Sequence, residues 1–490
     1  MRLNPNHAMP APPRRRSRPH PSGFRASDFL RISDFGFRIS TAFCLFAMCA
    51  ALSAAPASNE VRLITLDPGH FHAGLVQKFM YPQVSPVVHV YAPAGPDLQE
   101  HLKRIEGFNT RAEQPTHWEE KVYAGPDFLE RMLREKAGNV VVLAGNNARK
   151  TEYINRSVSA GFNVLADKPM AITPPNFDLL RQAFERAAAN KVLLYDIMTE
   201  RHEICSLLQC ELARTPQLFG TLQKGTPEQP AVVIESVHHF FKEVAGKPLI
   251  RPAWFYDVRQ EGESIPDVGT HLVDAVQWIC FPEQALDWRK DIKVLNARRW
   301  STKLTLEQFK RSTGLDHFPD FLKQDIGPDG ALEVYANGEV VYTLRGVHVK
   351  VTALWRFEAP PGTADTHYAQ VRGTRCNLLI QQGAEQNYKP ALYVQNNSPA
   401  AAPHFEQNLS TAVARLNATW PGLEMKPAGA AWEIIIPAKY RIGHEEHFAQ
   451  VTEKFLRYLA KGNMPGWEVP NMIAKYYTTT EAYRLSHRQR

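Results

Sequence analysis

From Val61 onward the chain alternates short apolar runs with amphipathic ones, the pattern of strands linked by crossover helices. Val61 to Leu66, Val87 to Ala92, Asn139 to Ala144, Phe162 to Asp167 and Val192 to Met198 read as buried strands. The turn Gly69 to Gly74 is expected to lead into a helix through about Met80, and further helices are expected from Asp127 to Lys136, Thr151 to Ala160, Asn176 to Asn190, and after Met198 to about Arg214. This alternation predicts an α/β domain, a doubly wound parallel sheet, over residues 58–215. After Leu218 the rhythm changes. Ala331 to Ala336 and Glu339 to Arg345 flank Asn337-Gly338, the strongest short hairpin signal, and Val347 to Phe357 and Tyr368 to Arg372 follow. An α+β domain with a large, mostly antiparallel sheet flanked by helices is expected over 216–400. The tail, 401–490, offers a strand at Ile434 to Ile436 and a helix from Glu445 to Ala460, expected to pack on that second domain. Ser398 to Pro403 reads as an exposed connection.

Composition changes this picture mainly at the N-terminus. Of a net charge of +7 over 490 residues, Arg2, Arg14, Arg15, Arg16, Arg18, Arg25, Arg31 and Arg38, against Asp28 and Asp34, hold +6. The remainder is nearly neutral and has no basic patch interleaved with aromatics, which argues against a nucleic-acid binder. The arginines precede an apolar run, Thr41 to Leu52, then small residues through Ala57. That run is too short to span a bilayer and has the length of a signal-peptide core. Residues 1–57 are therefore expected to be an export leader, cleaved near Ala55 or Ala57. The mature chain would be periplasmic or extracellular, with no membrane span. Cys205, Cys210, Cys280 and Cys376 then remain, without metal-type spacing, and are expected to be buried or free thiols.

Candidate chemistry begins where the strand through Val164 and Leu165 stops at Asp167-Lys168-Pro169. Proline cannot continue a ladder, so Lys168 is presented at a strand's carboxyl end, where open α/β sheets bind ligands. The turn after the first strand, Asp67-x-Gly69-x-x-His72 with Gly74 beyond, keeps part of a Rossmann-type phosphate-binding fingerprint. Tyr91-Ala92-Pro93 stands where a ribose-binding acid is usual. His70-x-His72 would make half a metal site, but sequence places no acidic or histidine partner nearby; no metal is assigned. His444-Glu445-Glu446-His447 has the wrong spacing for a zinc-protease helix, and its acids read as dipole complementation at a helix start. In Pro266 to Asp274, a helix would place Asp267, His271 and Asp274 on one polar stripe, with Val268, Leu272, Ala275, Val276 and Ile279 buried. Two acids flanking a histidine suit proton transfer.

With Lys168, these residues resemble the glucose–fructose oxidoreductase, inositol dehydrogenase and rhizopine-catabolism group (Gfo/Idh/MocA) of NAD(P)-dependent sugar oxidoreductases. Asp167-Lys168-Pro169 stands for the group's Glu-Lys-Pro; Asp267, Gly269, His271 and Asp274 match its Asp-x-Gly-x-His-x-x-Asp; Asn146-Asn147 resembles its cofactor-lining turn. The resemblance runs from Val61 to Gly383, and beyond Phe405 the tail resembles the "putative oxidoreductase C-terminal domain" branch. It implies NAD or NADP, tightly held, lined by Gly69, His70, Phe71, His72, Asn146, Asn147, Asp167, Lys168 and Pro169. It also implies a sugar-like substrate held by Lys168, Asp267 and His271, the catalytic residues. His271 would exchange the hydroxyl proton, Lys168 would polarise the reacting oxygen, and Asp267 would hold substrate or imidazole. The expected function is hydride transfer at a hydroxyl or keto carbon of a sugar, cyclitol or derivative. The rival readings are an NAD-dependent glycosidase using transient oxidation and a non-catalytic carbohydrate-binding protein. The second-domain sheet is a candidate homo-oligomer face.

Overall fold

The computed structural model describes residues 60–244, 247–397 and 402–488; the leader and Ser398 to Ala401 lie outside the described residues. β1 (Leu63–Leu66), β2 (Val87–Ala92), β3 (Glu119–Ala124), β4 (Val140–Leu143), β5 (Asn163–Asp167) and β6 (Leu194–Ile197) form one sheet in the order β3-β2-β1-β4-β5-β6. Every pairing is parallel. The strand order reverses between β1 and β4, which puts the ligand crevice at their carboxyl ends. β4 is buried at every position. Helices cover both its faces, so a continuous apolar run marks it, each buried side chain contributing about 1.5–3 kcal/mol.

Two elements here escape the sequence pattern, and one is shorter than expected. β3 reads Glu-Glu-Lys-Val-Tyr-Ala and is mostly exposed, because an edge strand pairs on one side only. The helix Pro96–Thr110 buries only Leu98, His101 and Ile105. The helix expected to follow the Gly69 to Gly74 turn through about Met80 is only His72–Leu75 and starts within that turn. Beyond it the backbone tightens into turns, Gln77 N donating to Gly74 O and Lys78 N to Leu75 O, while Trp118 Nε1 claims the Gln77 carbonyl.

The second sheet contains β7 (Val232–Phe241), β10 (Ile292–Leu304), β11 (Leu332–Leu344), β12 (Val347–Glu358), β13 (Thr366–Arg372), β14 (Cys376–Gln382), β15 (Ala391–Asn396), β16 (Glu424–Ala428) and β17 (Ala431–Ile435), with β8 (Glu243–Val244) and β9 (Lys247–Pro248) paired separately. Its order is β10-β11-β12-β7-β13-β14-β15-β17-β16, and only β12 with β7 is parallel. β7 and β10 carried no strand signal in the sequence reading.

Asn337-Gly338 is not a turn. β11 runs straight through it, pairing with β10 from Leu332 to Leu344 across two register shifts and with β12 from Gly338 to Leu344. Asn337 Nδ2 donates to Trp300 O and Thr302 Oγ1, while its Oδ1 accepts from Trp355 N, filling the register shift in β10. Gly338 is glycine for space: a Cβ there would stand 2.4 Å from Ile265 Cγ1. The real hairpin turn is Arg345-Gly346, both left-handed (φ 50° and 77°), joining Leu344 to Val347.

The tail packs on more than the second sheet. From its helices His444–Lys461 and Glu468–Ser486, Phe448, Val451, Phe455, Met472 and Tyr476 enter the core of the first sheet, while Ala474 and Ala482 enter that of the second. The four cysteines are free, three of them buried. Among the described residues, no helix is long and apolar enough to cross a membrane.

Candidate active site

Lys168 Nζ lies 2.5 Å from Asp267 Oδ1, tying the end of β5 to the start of the helix Val268–Cys280. The approach is guided from the second sheet. Gly338 admits Ile265, and Ser264 Oγ donates to Ala353 O, which lays the lead-in to Asp267 directly on the strands. Asp267 occupies the N-cap position, yet its side chain makes no cap bond and turns to Lys168 instead. Burial alone would lower the Lys168 pKa, but the Asp267 and Asp167 carboxylates outweigh it, and the ammonium is stabilised. His271 follows one turn later, its Nδ1 buried without a hydrogen-bond partner. Burial, then the Lys168 charge, holds His271 well below the usual imidazole range. It is a neutral base beside a fixed cation.

The expected polar stripe splits in two. Asp274 makes no hydrogen bond to His271; its charge favours the protonated ring, but burial and Lys168 outweigh it. Arg201 grips Asp274 with two bonds, 2.6 and 2.7 Å, and Lys475 adds a third at 2.8 Å. Lys475 also meets Asp196 at 2.6 Å, and Arg201 meets Glu468 at 3.0 Å. Burial would raise the Asp274 pKa; Arg201 and Lys475 overcome it and push it down.

A cavity of about 860 Å³ opens at the carboxyl ends of β1 and β2, lined by Asp67 to Phe71, Ala92 to Arg104 in part, and Leu249 to Phe255. Lys168, Asp267 and His271 are not on its wall. His70 is the link: it lines the cavity and its Nδ1 stands 3.7 Å from Asp167 Oδ2. The residues fit a dinucleotide in a particular way. At Gly69 a Cβ would come 3.0 Å from Asp97 Oδ2 and 3.2 Å from Trp254 Cζ2, so a bare turn lets these two side chains close over it. The Gly69 and His70 amides, however, both donate to Ala144 O and are spent. The cationic side chains on the wall are Lys103, Arg104 and Arg251, Arg104 also lying over the Phe71 ring and Arg251 donating to the Phe240 and His239 carbonyls.

Asn146 and Asn147 hold protein rather than open space. Asn146 Nδ2 donates to Gln260 Oε1, and Asn147 Nδ2 to Glu261 O, both at 2.6 Å. They anchor the segment that leads to Asp267. Glu261 is buried, and burial followed by the Asp267 charge raises its pKa well above the carboxylate range. Burial likewise lowers Lys150, to about 8.

His70 and His72, expected to be without partners, have them. His72 Nδ1 is 2.9 Å from Asp167 Oδ2, and His72 Nε2 is 3.3 Å from His444 Nε2. The Asp167 pKa is well below normal: burial opposes this, but His72, His70 and Lys150 outweigh it. Burial keeps His72 neutral. Pro169 follows through a cis peptide from Lys168. Sequence reasoning missed Lys150, Glu261 and His444. The first two carry no spacing signal, and His444 comes from the far tail, where its acids instead pair with Lys78.

The family model described as "Putative oxidoreductase C terminal domain" matches residues 208–487. The chain belongs to this oxidoreductase family. With it the chain joins the glucose–fructose oxidoreductase, inositol dehydrogenase and rhizopine-catabolism group. It is similar to the crystal structure of a "putative oxidoreductase" from Parabacteroides merdae ATCC 43184: 54% identity, TM-score 0.87, covering 88% of this chain and 98% of that one. A "putative oxidoreductase" from Thermotoga maritima matches at 14% identity and TM-score 0.55, over 88% and 98% of the chains. A 3-ketoreductase from Actinomadura kijaniata, crystallised with NADP and TDP-benzene, matches at 14% and 0.52, over 87% and 97%. These last two show the fold alone. Among curated proteins there is no match.

Proposed function

We propose that this family member moves hydride between a nicotinamide cofactor, NAD or NADP, and a hydroxyl or keto carbon of a sugar, cyclitol or sugar derivative. The Lys168–Asp267 contact at 2.5 Å, with His271 one turn on, carries the reading. A bound nicotinamide supplies the hydride acceptor or donor. Lys168, kept charged by two carboxylates, hydrogen-bonds the reacting oxygen and lowers the pKa of its proton. His271 takes that proton on oxidation and returns it on reduction; its neutrality at physiological pH suits the first role. Asp267 fixes the ammonium in position. That a 3-ketoreductase of this fold is described with NADP and TDP-benzene supports a nicotinamide and a sugar-like substrate.

We further propose that the protein works outside the cytoplasm once residues 1–57 are removed, a reading supported by the arginine-bearing leader and its apolar run. Free nicotinamide is scarce there, so the cofactor is tightly held and recycled. One observation favours a second reading, a carbohydrate-binding protein without turnover: the Gly69 and His70 amides are already committed to Ala144. One experiment separates the two. The purified full chain is denatured and the released nucleotide assayed, and its melting temperature is followed with added NAD and NADP. Released nicotinamide, or a clear upward shift, is expected. Neither would leave the binding protein as the answer.

A further inference from the structure

We propose that His367 and Ser236, side by side on the second sheet, bind ring hydroxyls of the substrate away from its reacting carbon, a reading that rests on the function proposed above. On the face of that sheet turned to the core, β7 reads Val232, Ile234, Ser236, His238, and β13 taken backwards reads Val371, Ala369, His367. Apolar side chains give way to polar ones at one level on both strands, because Ser236 pairs with His367. The same row runs on through Ala353 of β12 to Gly338 of β11, all four positions facing one way. At Gly338 this face is covered by Ile265, and Ser264 Oγ holds the Ala353 carbonyl. The row therefore leads out from under the segment that delivers Asp267. The Asp267 charge reaches His238, so the polar end of the row borders the Lys168–Asp267–His271 site.

The polar side chains here are not equally committed. His238 is a fixed backing: its Nε2 is 2.8 Å from Ser236 Oγ, its Nδ1 is 3.6 Å from Asp365 Oδ2, and its ring lies on Trp355 with centroids 5.1 Å apart. Asp365 is itself gripped by Lys242 and His239. His367, in contrast, makes no side-chain hydrogen bond to any described residue. An inward-facing polar ring is costly without a partner, and a bound hydroxyl would supply one. Burial, then His238, brings the His367 pKa down to about 4, so the neutral ring offers one donor and one acceptor. Ser236 Oγ keeps acceptor capacity beyond its bond to His238. Neutral donors and acceptors side by side suit neighbouring hydroxyls of an uncharged sugar or cyclitol ring.

The test is equilibrium binding, which needs no turnover. Glucose, galactose, xylose and myo-inositol are titrated into the full chain by calorimetry, with and without added NAD, and cofactor reduction is followed in parallel. Wild type is expected to bind at least one of the four. His367→Phe, which keeps a ring and loses both nitrogens, should weaken that binding by about 3–10-fold at an unchanged melting temperature. His367→Gln, which keeps a donor and an acceptor, should recover part of the loss. In turnover the loss should fall on KM more than on kcat. Should His367→Phe fail to fold, His367→Gln and Ser236→Ala give the same comparison, each expected to bind more weakly than wild type. The inference is overturned if wild type binds none of the four, or if the folded variants bind as wild type does. Binding that depends on His367 without cofactor reduction supports it and counts against hydride transfer alone; cofactor reduction with binding indifferent to His367 overturns only this inference.

Discussion

Two aspartates on the helix Val268–Cys280 and its cap are both paired with cations, in very different surroundings. Asp267 meets one cation, Lys168, whose side chain keeps 13% of its exposure. Asp274, two turns on, has both oxygens taken by Arg201 and Lys475, whose side chains are 5% and 0% exposed. The first pair retains the capacity to hydrogen-bond a reacting oxygen. The second is saturated on every side and serves to lock the helix, and with it His271, between the two sheets. A shared helical face says that two acids are neighbours; it does not say that they share a task.

Substitution should separate them sharply. Lys168→Met is expected to lower turnover by about 10²–10⁴-fold, read from steady-state kinetics, while the protein stays folded. Equal turnover in mutant and wild type would remove Lys168 from the chemistry. Lys475→Met strips Asp274 and Asp196 of a buried counter-ion and should cost about 3–5 kcal/mol in denaturant unfolding, with activity falling only as the folded fraction falls. A loss under about 1 kcal/mol would mean that the network is not what holds the helix.

Acid sharpens the contrast. The Asp274 pKa is lower folded than unfolded, so its contribution is complete above the ordinary carboxylate value of about 4 and is lost as pH falls towards the folded value. The stability gap between wild type and Asp274→Asn should therefore narrow from pH 6 to pH 3 in urea titrations; widening would contradict the ion-pair account. The smallest effect lies at the rim, where His487 Nε2 is 3.3 Å from Glu263 Oε1. The Glu263 bond raises the His487 pKa despite some burial, so the contribution is present below about 6.5 and lost as pH rises. With the His487 side open to solvent and Glu263 already paired with Arg299, the contact should contribute under about 1 kcal/mol, and His487→Asn should match wild type at pH 8.5.

The same contrast explains what was legible in the sequence. β4 and β5 announce themselves because both faces are buried, and Asp167-Lys168-Pro169 because a proline ends the ladder. Asp267 and His271 follow from helical spacing. Periodicity assigns a face but not what covers it, so the cations around Asp274 stayed hidden: Arg201 precedes it by a whole domain segment, and Lys475 lies in the tail. His444 escaped for the same reason. Asn337-Gly338 misled because the residues that suit a turn also suit a tight strand crossing, and only Ile265 decides between them.

The most direct measurement of the central claim is reduction of bound nicotinamide. The full chain, with cofactor retained or added, is mixed with a panel of sugars and cyclitols while the near-ultraviolet absorbance of reduced nicotinamide is followed. The account predicts that at least one member reduces the cofactor in wild type, and that His271→Asn, with cofactor still bound, does so far more slowly. Reduction at the same rate in both proteins, or wild type that binds no nicotinamide, would contradict it.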